Sequence, residues 1–170
     1  MKPLSLQIVR AGPFQVSVMS GNAGDYIRYK FEQNYPNELC PNVLVYVRGR
    51  FVRCDEQNPS DAVTFDPGDT NDKIGERKAG IWRLTALDDD NLHFCVRESS
   101  GTVRPVRRAA ELKASEQHKL SRDEVAIVVF GGATINGQSF VAGELVAVTS
   151  ELALAVAGSR GATLQVFSLP

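Results

Sequence analysis

The sequence predicts an all-β chain, an antiparallel sandwich or barrel, and three observations predict it. From Glu124 onward, short runs rich in Val, Ile and Leu alternate with glycine-bearing turns, and no helix-length apolar pattern lies between them. Asn136-Gly137 stands between two such runs, and this dipeptide tolerates the positive φ angles of a two-residue type I′ hairpin. The first half repeats the theme more loosely, with candidate strands at 6–9, 15–19, 26–31 and 43–52 separated by Gly, Asn and Pro clusters.

In chain order, residues 1–57 form a β-rich N-terminal region. Residues 58–79, with the run Asp66-Pro67-Gly68-Asp69-Thr70-Asn71-Asp72, are short of apolar side chains and read as an exposed loop or linker. Strand pattern resumes at Gly80-Ile81-Trp82-Arg83-Leu84, so residues 80–170 form the second region. Within it, 107–119 has helix propensity but few apolar residues to bury on one face. Strands follow at 125–130 and 133–135 across Gly131-Gly132, at 138–140, 145–148 and 152–157, and, after the turn 158–161, at 163–169.

Lys plus Arg number 19 and Asp plus Glu 20, so a net charge of -1 creates no general field for nucleic acid or an anionic membrane. A chain 43% hydrophobic and 23% charged is too apolar for disorder, and no apolar run is long enough to span a bilayer as a helix. The N-terminal residues lack the apolar core and cleavage site of a signal peptide, which places the expected origin in the cytoplasm. The three cysteines Cys40, Cys54 and Cys95 form no Cys-x-x-Cys pair and read as reduced thiols.

Residues 114–143 resemble the cupin superfamily, whose first motif runs Gly-x5-His-x-His-x3,4-Glu-x6-Gly and whose second opens with Pro-x-Gly and carries a third His. His118 lies at the first His, Leu120 at the second and Glu124 at the Glu, with Gly131 or Gly132 closing the motif. Ala142 and Gly143 fall near the Pro-x-Gly turn, and no His follows in 144–148. The resemblance implies a jelly-roll barrel in the C-terminal region and a strand over 103–112. It also implies that the metal chemistry is absent, because Leu120 and Val146 or its neighbours cannot ligate and only His118 and Glu124 survive. No metal or other cofactor is therefore expected. A second, shorter resemblance, residues 80–90 through Phe94-Cys95-Val96, is to small cupin-like proteins encoded by tailed bacteriophages.

Other candidates have plainer readings. Asp66, Asp69, Asn71 and Asp72 lack the spacing and distal Glu of a calcium loop, and Asp88-Asp89-Asp90 reads as a solvated turn. The basic residues Arg104, Arg107, Arg108, Lys113, Lys119 and Arg122 are diluted by Glu111, Glu116, Asp123 and Glu124, so nucleic acid is not an expected partner. His93, beside Phe94 and Cys95, reads as a packed or half-exposed strand residue. Residues 26–31 alternate aromatic or apolar with basic groups, as an interface strand does, and Arg48, Arg50 and Arg53 read as edge-protecting charges on 43–52.

Two functions from different classes fit these features. The first is a non-enzymatic structural module that self-associates as a homo-oligomer, or joins other assembly subunits, in a phage virion or accessory role. The second is a small metal-independent enzyme or ligand-binding protein for a sugar or small acid, with His118 or Glu124 as acid-base residue. The barrel interior separates them: a pocket of converging polar groups favours the second, and an apolar filling favours the first.

Overall fold

A computed structural model describes residues 1–37 and 39–170. Its fourteen strands are β1 (Ser5–Ala11), β2 (Phe14–Gly21), β3 (Tyr26–Phe31), β4 (Val43–Arg48), β5 (Phe51–Asp55), β6 (Val63–Phe65), β7 (Gly80–Ala86), β8 (Asn91–Glu98), β9 (Val106–Leu112), β10 (Gln117–Ser121), β11 (Val125–Ile135), β12 (Gln138–Val141), β13 (Leu145–Ala147) and β14 (Leu152–Ser168). They form sheets ordered β1-β2-β8-β4, β3-β7-β5-β6 and β10-β14-β11-β12, with β9 added to β14 and β13 to β11. The described strand pairings are antiparallel, as the alternating patterns and short turns require. The all-β expectation is met.

Two compact units divide the chain: residues 1–8 with 17–96, and residues 9–16 with 97–170. The expected boundary at 58–79 falls inside the first unit. Backbone pairing is the reason, because β6 pairs with β5, β7 pairs with β3 and β5, and β8 pairs with β4. The supposed linker contributes β6 and two 3-10 turns.

In the first unit the stretch expected as one strand over 43–52 is two. Gly49 takes φ 67°, the chain reverses, and β4 joins one sheet while β5 joins the other. β5 alternates Phe51 buried, Val52 half-buried, Arg53 buried, so Arg53 shares the inward face with Phe51 instead of guarding an edge. Tyr46, Phe51, Phe65, Leu84 and Ala86 form the buried cluster, and the Tyr46 and Phe65 rings stack with centroids 4.3 Å apart.

The second unit is the barrel-like region. Its interior is filled by Leu120, Ala126, Val128, Ile135, Leu164 and Val166 together with a set of alanines. Two segments expected as turns are instead bulges within long strands: Gly131-Gly132 within β11 and 158–161 within β14. Gly131 and Gly161 have φ 68° and 75°, and a Cβ on Gly131 would lie 2.1 Å from the Gly161 carbonyl oxygen. These glycines let the two backbones approach where the sheet bends.

The Asn136-Gly137 hairpin appears as expected, with Ile135 opposite Gln138 and φ angles of 48° and 82° at its two central residues. A Cβ on Gly137 would meet nothing within 4 Å, so the cost of Gly137→Val is conformational alone. It should be about 1 kcal/mol or more, read as a lower urea midpoint at unchanged slope. An unshifted midpoint contradicts the turn assignment.

Candidate ligand-binding site

The residues retained from the cupin motif come together in the second unit, but around an arginine. Arg108 on β9 and Leu120 on β10 flank the cluster, and Leu120 is fully buried in the apolar interior. The Arg108 guanidinium forks onto Glu124, with Nη1 donating to Oε1 at 2.5 Å and Nη2 to Oε2 at 2.9 Å. Its Nε also donates to His118 Nε2 at 3.4 Å, and Ser121 N donates to Glu124 Oε2 at 2.8 Å.

This arrangement does not suit a metal ion. Both Glu124 oxygens are committed, the ring nitrogen of His118 faces a permanent cation, and neither Leu120 nor the half-buried Val146 has a donor to offer. Among the described residues no three His, Cys, Asp or Glu side chains gather to hold an ion. The electrostatics agree: the Arg108 hydrogen bonds hold the Glu124 carboxyl below its ordinary range, against desolvation. Burial and then the Arg108 charge push His118 down, while Glu124 acts the other way. Glu124 and His118 are thus both held on the one Arg108 guanidinium. Elemental analysis of the purified protein should find far less than a full equivalent of transition metal; about one nickel, zinc, iron or manganese per chain would overturn this.

The remaining sequence candidates are likewise absorbed. Asp69 pairs with Lys73 at 2.8 Å, and Asn71 accepts from Leu44 N at 3.0 Å and donates to Asn42 O at 3.3 Å. Asp88 accepts from Arg50 Nε at 3.0 Å, Arg50 Nη2 at 2.7 Å and Arg50 N at 2.8 Å, and these hydrogen bonds bring its carboxyl down to about 2. The aspartate triplet is therefore a paired turn, with Asp89 also accepting from Ala23 N at 3.1 Å.

A largely apolar cavity that includes buried polar side chains lies in the first unit, where no motif pointed. A cavity of about 280 Å³ is walled by side chains of β1, β2, β3, β4, β5, β7 and β8 and of the segment 71–77. Leu6, Met19, Ile27, Leu44, Ile74 and Leu84 supply its apolar wall, and Leu6 and Lys30 are its exposed residues. Among the described residues, two buried polar side chains of this wall have no partner at hydrogen-bond geometry: Arg53, at its Nε, Nη1 and Nη2, and His93, at both ring nitrogens.

Local sequence fixes both. Arg53 lies opposite Leu84 on β7, diagonal to Trp82 two residues earlier, and its guanidinium carbon sits 3.8 Å from the Trp82 ring centroid. Trp82 is itself tied down, its indole N–H donating to Lys78 O at 2.9 Å. Stacking occupies the guanidinium's face and leaves its in-plane donors unmatched. Burial pushes the Tyr29 phenol up, while the Arg53 charge and a hydrogen-bonding approach between the two side chains pull it the other way; that approach falls short of hydrogen-bond geometry, so the guanidinium nitrogens keep unmatched donors.

His93 lies opposite Tyr46, stacked on that ring at 5.5 Å and edge-on to Phe51 at 4.7 Å. Burial alone pushes it down to about 3, so it is a neutral imidazole at physiological pH. Arg77, the other buried arginine of the wall, donates to Asn37 Oδ1 at 2.6 Å, Gly75 O at 3.2 Å and Asn71 O at 3.3 Å.

No family model matches the chain, and no curated protein matches it. Solved structures do. A cupin 2 conserved barrel domain protein from Leptotrichia buccalis superposes with a TM-score of 0.58 at 15% identity, over 98% of this chain and 89% of its own. The pirin YhhW from Escherichia coli, in complex with nickel(II), gives 0.56 at 14% identity over 100% and 84%. A salicylate 1,2-dioxygenase from Pseudaminobacter salicylatoxidans gives 0.58 at 10% identity over 96% and 75%. The fold is cupin-like, and the likeness runs through both units, where the sequence resemblance lay in 114–143 and, more briefly, in 80–96.

Proposed function

We propose that this chain is a small-acid-binding protein, holding a carboxylate against Arg53 in the cavity of its first unit. The observation that carries the proposal is the Arg53 guanidinium, 2% exposed and, among the described residues, without an acceptor at hydrogen-bond geometry. An unpaired buried charge costs several kcal/mol, and a carboxylate matches the guanidinium fork in two parallel hydrogen bonds. The surrounding apolar wall suits a short carbon skeleton, and the cavity has room for roughly nine waters' volume at ~30 Å³ each. Salicylate, in the name of one protein of this fold, is a small acid of the same class. The apolar barrel interior is the outcome expected of the assembly reading; what supports the ligand-binding alternative is the cavity of the first unit, with the site moved from His118 and Glu124 to Arg53. Thermal unfolding with pentanoate and with its uncharged isostere pentanamide tests it: the acid should raise the midpoint and the amide should not. Equal effects, or none, would remove the proposal.

Assembly is a separate proposal. It draws on the resemblance of residues 80–96 to phage-encoded proteins and on the edge strands β1 and β3, with Leu6 and Ile8 exposed on β1. Light scattering over a wide concentration range tests self-association, and a strict monomer throughout excludes it.

A further inference from the structure

We infer, on the basis of the acid site at Arg53, that its ligand is a hydroxy- or oxo-monocarboxylic acid whose hydroxyl or carbonyl hydrogen-bonds with His93. Among the described residues, Arg53 and His93 are the two members of the cavity wall whose buried polar atoms lack partners. Two nearby polar groups are already used: Asn71 bonds through both ends of its amide, and Trp82, beneath Arg53, through its indole N–H.

The imidazole cannot turn to find a partner elsewhere, because Tyr46 covers its face and Phe51 abuts it edge to face. A neutral imidazole presents one N–H donor and one lone pair. A hydroxyl can meet either, and a carbonyl can accept from the N–H. A second carboxylate would bring a charge that the neutral ring does not balance, whereas Arg53, the one cation of the wall without a partner among the described residues, balances one. The ligand chemistry matched to these groups is therefore one anion, one neutral hydrogen-bonding group and an apolar remainder against Met19, Ile27, Leu44 and Leu84.

Calorimetric titration of the full chain with pentanoate and with 2-, 3- and 4-hydroxypentanoate tests the inference. At least one hydroxy acid should bind about tenfold or more tightly than pentanoate, since a site built around a hydrogen bond rejects the analogue lacking it. The preference should collapse to about unity in His93→Leu, which removes both ring nitrogens while keeping an apolar side chain. Because the chain has only two histidines, the ring nitrogen resonances of His93 in the unmodified protein give a second readout independent of the variant's folding. They should shift with the preferred hydroxy acid and not with pentanoate. Pentanoate binding without any hydroxy-acid preference, a preference that survives His93→Leu, or unmoved His93 resonances would overturn the inference and leave the acid site standing. Failure of every acid to bind would instead overturn the acid site itself.

Discussion

Arg53→Met is expected to stabilise the ligand-free protein by about 1–4 kcal/mol while abolishing acid binding, two effects of opposite value from one substitution. Arg53 is 2% exposed, and its three guanidinium nitrogens have, among the described residues, no acceptor at hydrogen-bond geometry, so the folded chain carries the desolvation of a permanent cation uncompensated by a counter-charge. Its compensation is the stack on Trp82, and methionine retains much of that contact through its flexible stem and polarisable sulfur. An arginine retained only for structure would behave in the opposite way, its loss lowering the urea midpoint. A rise in midpoint at unchanged slope, together with loss of the acid-induced stabilisation, is the predicted pair of results. It is the trade-off expected where a buried group is kept for a ligand rather than for the fold.

Acid sensitivity from His93 is the second large effect. In the folded chain His93 titrates at about 3, against 6.5 for the free side chain, and burial is the cause. As pH falls below 6.5 the unfolded chain takes up a proton that the folded chain refuses, so stability is full above that value and declines towards pH 3, where the loss levels off. Between pH 7 and pH 5 this amounts to about 2 kcal/mol for the one residue. His118 is depressed as well and adds to the same trend, whereas Asp88, down at about 2, titrates outside this window. The comparison with His93→Leu isolates the effect. The variant should lose about 2 kcal/mol less than the parent over that pH interval, measured by denaturation at each pH. Parallel declines would place His93 in contact with water or a proton-accepting partner.

Much of the strand pattern could be read from residue order, because a two-residue period and Asn-Gly chemistry are local signals. The 136–137 hairpin needs only positive φ at two adjacent residues, and the sequence names them. Gly131 and Gly161 were harder, since a glycine that permits a turn and one that permits two backbones to meet at a bulge look alike until the partner strand is known. The division of the chain was obscured for a similar reason: 80–96 carries ordinary strand pattern, and only its pairing with β3, β4 and β5 assigns it to the first unit. At His118 and Glu124 the motif located a real cluster but not its meaning, which depends on Arg108 arriving from β9. The pocket has no such local signature, because 43–52 reads as one strand on which Arg48, Arg50 and Arg53 are edge charges. The signal that would have found it was present: once Gly49 breaks the strand, Arg53 falls in phase with Phe51 and points inward.

The carboxylate's place at Arg53 is tested most directly by a crystal structure of the protein grown with pentanoate. Both carboxylate oxygens should lie within about 2.7–3.2 Å of the Arg53 guanidinium nitrogens, with the guanidinium still stacked on Trp82 and the alkyl chain along the apolar wall. Pentanoate bound elsewhere, or lying in the cavity with its carboxylate turned away from Arg53, would contradict this placement.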